Sequence, residues 1–499
     1  MKKIWIILLL SLGLLSACDD FLDVTADNEI VEDELFNDYK GVRMAVNGIY
    51  RTLSSTQLYG KNLTWGFAST IGHNYQATST SYLPTGLYYA AQFTWDNSNV
   101  ESITEEIWKT AYNVISSCNN VIQHVSPKDT NFFEIGAVEK NMILGEMYGI
   151  RAMLHFELYR LFAPAPVKNY AGLTIPYVTK YPEHQPEHKN GKDVMNLIIE
   201  DMERAKTILA EVDTFFCRTW CSSMTSRIRQ NNSWSNAPPN DFMSYRGSRM
   251  NFWAATGLLA RIYMYNGNEG KAYENAVINY KFHTRNWFRW TSSTYQGAIS
   301  SIEYIHPKRP EEILMTFSNN NNYDNWESAV GTSNYYFRIK NADDLFKGDE
   351  DDYRKVGWYN RYGLQRYITW IRPQGTSYNV TQVVANQGPL LPVISFPEMY
   401  HIMIECLLNQ ERTTEAVELL NTLRKNRGAK TAILASTNID DLREILKKDI
   451  IRETLASGQT FFRFKRLDED IYNGTSDIVM EPNKWTIPLP QSETAYQFN

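Results

Sequence analysis

The chain of 499 residues has only five cysteines, and none of them sits in a metal-ligand arrangement. Cys217 and Cys221 are four apart with no His or acidic residue at ligand spacing, which argues against zinc and leaves a local disulfide open. Cys118 and Cys406 lie in apolar helical patterns and read as core thiols. Charge of one sign is also scarce: 50 Lys+Arg stand against 56 Asp+Glu, a net charge of −6. So mild an acidity disfavours nucleic acid, which requires clustered cations to displace counterions. Long apolar runs are missing too. The longest, residues 4–15, is shorter than the ~20 residues a spanning helix needs, and a mean hydropathy of −0.42 excludes a multi-pass membrane protein. With 43% hydrophobic residues, the chain is equally unlike a disordered one. Its length allows about three domains, or one large helical solenoid.

Catalytic signatures are absent: there is no G-x-S-x-G, no G-x-x-x-x-G-K and no clear G-x-G-x-x-G. His184-Gln185-Pro186-Glu187-His188 matches H-x-x-E-H in letters. A zinc site of that kind needs a helix to aim both His at one metal, and Pro186 makes this segment a polar loop. Asp349-Glu350-Asp351-Asp352 lacks the alternation of a calcium loop and reads as a solvated acidic turn. Arg151 and His155, one turn apart among apolar residues, read as buried hydrogen-bonders rather than a general-base pair. No cofactor and no metal site is expected.

What is present starts with the first eighteen residues. Two lysines, the apolar run and Leu15-Ser16-Ala17-Cys18 form a lipoprotein signal, residues 1–17, with Cys18 the lipidated first residue of the mature chain. The acidic Asp19-Asp20-Phe21-Leu22-Asp23 opens a tether, residues 18–32, that an anionic membrane surface repels. Helical periodicity then marks 33–53, 101–125, 138–162, 194–209 and 440–455. Two stretches read as helical hairpins, 251–276 and 396–427, with small residues where paired helices would cross; they are similar to tetratricopeptide units.

Aromatics are plentiful: 31 Tyr, 22 Phe and 13 Trp, or 13% of the chain. They crowd into non-helical segments 58–95, 281–340 and 353–370 beside Asn, Ser and Thr, a pattern of functional loops. Trp and Tyr rings stack on the C–H faces of sugars while amides and hydroxyls satisfy the rim. Trp65, Tyr75, Trp95, Asn97, Tyr323, Asn325 and Trp326 are therefore the candidate ligand-binding residues.

The order of several motifs resembles the SusD-like (RagB/SusD) outer-membrane lipoproteins of Bacteroidetes. The carriers are Cys18 to Asp23; Arg151-Ala152 through Phe162; Leu258-Leu259-Ala260-Arg261-Ile262-Tyr263; Pro310-Glu311-Glu312-Ile313-Leu314; Phe396-Pro397-Glu398 through Arg427-Gly428; and Ile487-Pro488-Leu489-Pro490. One late motif departs from the pattern: Ser457, Thr460 and Arg463 stand where the family's E-G-x-R-x-x-D-L-x-R has an acid, Arg and Asp. The usual Gly after the Arg151 helix is Ala163.

The resemblance implies a mainly α fold: a tetratricopeptide-like scaffold with long aromatic loops and a few short strands. Its regions would be 33–240 and 241–499, forming one globular unit. It also implies a non-catalytic, surface-exposed lipoprotein of the outer membrane that captures oligo- or polysaccharide for a SusC-type TonB-dependent transporter. An oligopeptide ligand is the alternative. A surface glycoside hydrolase, which needs two carboxylates about 5–10 Å apart, is a third reading.

Overall fold

In the computed structural model the described residues are 32–166, 171–228, 238–293, 308–355 without 332, 334, 340 and 341, and 387–497. The signal segment 1–17, Cys18, most of the tether and residues 356–370 of the third aromatic segment lie outside them.

The longer helices are α1 (Tyr39–Leu53), α2 (Ser98–Val125), α3 (Gly136–Phe162), α4 (Gly191–Glu211), α5 (Phe252–Tyr265), α6 (Glu269–Thr284), α7 (Asn322–Val330), α8 (Phe396–Asn409), α9 (Thr413–Asn426), α10 (Ile439–Thr454) and α11 (Thr460–Leu467). The starts follow local chemistry. Asp38, Asn97, Asn190, Asn251, Asn268 and Asn438 each accept a backbone N–H with the side chain and so cap α1, α2, α4, α5, α6 and α10. Neighbours in sequence pack in space: α1 on α2, α2 on α3, α3 on α4, α4 on α5, α5 on α6, α6 on α8 and α8 on α9. This is the successive hairpin stacking of a helical solenoid. The mainly α scaffold expected from sequence is thus present, and both predicted hairpins form, as α5–α6 and α8–α9.

Helix α3 is the axis of the array. Every residue from 149 to 162 is buried, because the helix is wrapped on all sides rather than on one stripe. Its approach to α4 is close at Gly145, where a Cβ would come within 2.7 Å of Leu209 Cγ. Polar side chains on α3 survive burial by pairing. Arg151 donates to both oxygens of Asp201 (2.7 and 2.8 Å) and to Asn119 Oδ1. His155 bonds the Arg151 carbonyl through Nδ1 and accepts the Val178 N–H at Nε2 (3.0 Å). Both are buried hydrogen-bonders.

Three two-stranded antiparallel ladders supplement the helices: β1 (Leu173–Pro176) with β2 (His188–Asn190), β3 (Ile313–Ser318) with β4 (Leu390–Ser395), and β5 (Ile471–Tyr472) with β6 (Asp477–Ile478). The β3–β4 pair runs from Ile313 opposite Ser395 to Ser318 opposite Leu390, with register shifts on either side of Met315. It delivers Asn319, Asn320 and Asn321 to the surface just before α7.

The acidic run 349–352 is a solvated turn only in part: Glu350 and Asp351 are exposed, whereas Asp349 and Asp352 are enclosed. Asp349 receives Arg424 (2.7 Å) and Arg452 (2.6 Å), and Asp352 is buried against Arg354. Cys217 and Cys221 are buried free thiols, as are Cys118 and Cys406.

Candidate functional site

The predicted aromatics converge, but mostly below the surface. Trp65, Tyr75 and Trp326 are 3%, 1% and 6% exposed. Trp65 and Trp326 meet edge-on at 5.1 Å, and both pack on Phe337. Tyr75 touches Phe337 as well and donates its hydroxyl to the Trp65 carbonyl (2.7 Å). The Trp65 indole N–H goes to the Gly60 carbonyl (2.9 Å). With faces covered by one another, these three rings cannot stack on a sugar in this conformation; they form the core beneath the loops. Here the expectation needs correcting. The loops are long enough to need a core of their own, and their aromatics supply it.

The remaining candidates are partly exposed. Trp95 packs against Phe93 and Phe67, and its indole donates to the Asn483 carbonyl (3.0 Å). Asn97 is occupied capping α2. Tyr323 bonds Glu327 across one turn of α7 (2.7 Å), and Asn325 lies half-buried on the same helix.

The buried cluster holds two chain segments together at the surface. Gln76 N–H donates to the Arg338 carbonyl (2.7 Å), Phe337 N–H to the Tyr82 carbonyl (3.0 Å), and Tyr75 bridges Ile339. This pairing presents Tyr335, 51% exposed, edge-on to Tyr82 at 6.3 Å, with the Arg338 guanidinium 4.6 Å over the Tyr335 ring. Tyr335 is the open ring among the described residues of the 281–340 segment. The composition of that segment pointed to it, whereas neither its neighbours nor its exposure could be read from the sequence.

Beside α1 lies a wide polar cleft of about 880 Å³, within the ~300–1,000 Å³ of small-molecule sites. Arg51, Ser55, Gln57, Tyr245 and Asn319 to Asn321 are among the side chains that line it. Tyr245 is 41% exposed and adopts φ +56°, a left-handed conformation that is strained for a bulky side chain. Behind the wall, Tyr50 donates to Glu146 (2.9 Å) and accepts the Met250 N–H (3.0 Å). Burial pushes the Glu146 carboxyl up in pKa, and Arg249 and Arg246 more than reverse this, holding it ionised below its ordinary range. The Tyr50 phenol is raised by burial and by Glu146. These groups are fixed. The side chains facing the cleft are amides, hydroxyls, guanidinium groups and rings, and Asp241 is its one lining carboxylate among the described residues.

The H-x-x-E-H segment runs from loop into β2, so its two His share no helix face. His188 instead bridges the Thr174 carbonyl and Glu493 (2.7 Å each). Among the described residues no group of three His, Cys, Asp or Glu side chains is placed to hold a metal. No helix among them is long and apolar enough to cross a membrane.

A solenoid of helical hairpins, overlaid by loops that present tyrosines, amides and arginines, is a tetratricopeptide-like architecture. Residues 20–229 match the SusD-like family model described as starch-binding associating with outer membrane. The SusD-like protein P38 of Formosa agariphila is 21% identical over 91% of this chain and 87% of its own. Among solved structures, a SusD superfamily protein of Bacteroides thetaiotaomicron is 19% identical, with a TM-score of 0.64 over 92% of this chain and 98% of that one. A SusD-like carbohydrate binding protein of Bacteroides vulgatus gives 0.65 at 17% identity, over 93% and 97%. The match over residues 20–229 and the fold shared with these structures agree with the resemblance that the motif order carries.

Proposed function

We propose that this protein is a non-catalytic glycan-binding lipoprotein of the cell surface, anchored through Cys18, that hands oligo- or polysaccharide to a SusC-type TonB-dependent transporter. The observation that carries the reading is the exposed Tyr335 ring, edge-on to half-buried Tyr82, with Arg338 above it and the aromatic core beside it. A ring with one open face and an adjacent guanidinium suits the C–H face and the hydroxyls of a sugar. The cleft with Tyr245 and Asn319 to Asn321 extends the polar surface on which further sugar units would lie. Among the described residues Asp241 is its one lining carboxylate, which favours capture over hydrolysis, since hydrolysis needs a pair.

The test is affinity electrophoresis of the full chain against a panel of neutral and acidic polysaccharides. Tyr335→Ala should weaken retardation by a ligand glycan by about 1–3 kcal/mol, with the thermal midpoint unchanged. Unaltered retardation by Tyr335→Ala, for a glycan that does bind, would reject the platform. Binding of oligopeptides in place of every glycan would favour the peptide alternative.

A further inference from the structure

Where α3, α5, α8, α10 and α11 converge there is a second cavity, of about 90 Å³, several times the ~10–15 Å³ that one water needs. Four arginines line it, Arg160, Arg261, Arg463 and Arg466, against two carboxylates, Glu398 and Glu405. Each carboxylate is already engaged by an arginine. Arg261 donates from Nε and Nη2 to the two oxygens of Glu398 (2.6 Å each). Arg466 Nη2 reaches both oxygens of Glu405 (2.7 and 2.9 Å). Arg160 uses its terminal nitrogens on Gln459 and Glu157. Arg463 comes only within 3.6 Å of Glu469.

What remains is a set of buried donors. Arg160 Nε, Arg261 Nη1, Arg463 Nε and Nη1, and the Tyr265 hydroxyl have no hydrogen-bond partner among the described residues. Arg160 and Arg261 are 1% and 7% exposed, and Tyr265 is 3% exposed. Buried donors on charged groups are costly to leave unmet. Four side chains offering N–H and O–H around one cavity ask for a ligand that only accepts and that carries negative charge. Water fits this less well, since it must also donate. The surplus can be traced to the sequence: Arg463 stands where the family pattern has Asp, which turns an acceptor position into another donor.

We propose that this cavity binds a single small oxyanion, a sulfate, phosphate or carboxylate group, held by Arg160, Arg261, Arg463 and Tyr265. The ion would complete the junction of five helices. The neighbouring cavity of about 180 Å³ shares the wall formed by Arg261, Glu398, His401, Thr454 and Gln459, and its lining includes Trp65 beneath the tyrosine platform. An anionic substituent of a larger ligand and a free inorganic ion therefore present the same chemistry to this site. The site does not depend on the glycan reading.

The experiment titrates inorganic sulfate into the full-length protein by thermal shift and calorimetry, with chloride at matched ionic strength as reference. A saturable upward shift is expected with sulfate alone. Tyr265→Phe should weaken it several-fold, and Arg463→Gln should remove it while leaving the sulfate-free protein folded. Equal shifts in sulfate and chloride, or an undiminished sulfate response in both variants, overturn the proposal. A crystal grown in selenate separates the same outcomes directly. An anomalous peak among the three arginines supports the site, and ordered waters there count against it. Competition between sulfate and a sulfated oligosaccharide identifies a substituent as the source; sulfate binding without competition identifies the free ion. Retardation of glycans by Tyr335→Ala is read separately, so either idea can fail alone.

Discussion

Trp326 shows how burial changes what a residue can do. Its position after Asn319 to Asn322 suggests a stacking platform, yet it is 6% exposed and enclosed by Trp65 and Phe337. Trp326→Ala should therefore cost about 3–5 kcal/mol of stability by leaving a cavity, read as a lower urea midpoint, and affect glycan affinity only through the loops it supports. His155 carries a second prediction at this scale. Burial, aided by the Arg151 charge, lowers its pKa to about 3 against the opposing hydrogen bond to the Arg151 carbonyl. The unfolded chain, at about 6.5, takes up the proton first, so this residue's contribution is complete above 6.5 and is lost as pH falls. At pH 5 the loss is about 2 kcal/mol. His188 acts in the opposite sense, since its bond to Glu493 raises its pKa. Comparing His155→Gln with wild type isolates the first effect: the variant should lose less stability between pH 7.5 and pH 5 in urea titrations. An equal loss in both would show that His155 is not the proton acceptor.

Helices α8, α9 and α10 depend on one ionic network more than on propensity. Arg354 donates to Asp449 (2.9 Å) and Glu453 (2.9 Å), Arg427 joins Glu453 to Glu312, and His401 reaches Asp449 (2.9 Å). Burial pushes Asp449 up, while Arg354 and His401 hold it well below the usual carboxylate range. Asp449→Asn leaves Arg354 with one buried partner fewer and should destabilise the fold by about 3–5 kcal/mol, measured by denaturant titration. Helix α9 ends at Gly428, whose φ of +92° places any Cβ within 2.7 Å of the Tyr353 ring. Gly428→Ala should cost about 1–2 kcal/mol or more from the backbone alone. These partners are far apart in sequence: Asp349 lies 75 and 103 positions from Arg424 and Arg452, and Glu312 lies 115 from Arg427. Such distance explains why the 349–352 run reads as a solvated turn from its letters.

For the molecule as a whole, a succession of packed hairpins makes a stiff scaffold on which loop rings are held in place. Such a scaffold suits the proposed capture role, because ordering flexible loops on binding lowers affinity. The proposed lipid anchor belongs to this scale too. Cys18→Ala should yield a protein that incorporates no labelled palmitate and is released from, or unprocessed at, the membrane; labelling at the wild-type level would refute Cys18 as the lipid site.

Helix placement, hairpin pairing and family motifs were legible in the sequence because they rest on short-range periodicity and local capping: Asn97, Asn190, Asn251 and Asn438 cap α2, α4, α5 and α10 by local bonds. The choice of which aromatics face solvent was not. Trp65, Tyr75 and Trp326 are as suited to stacking as Tyr335 is, and their letters are no different in kind. Only the meeting of segments 65–82 and 326–339 covers the first three and leaves Tyr335 open. The donor-rich cavity shows the same division. The sequence supplies Arg463 in place of an acid, but only the convergence of α3, α5, α8 and α11 brings it to Arg160, Arg261 and Tyr265. Local interactions fix the elements, and the burial of one element by another decides which side chains remain available for binding.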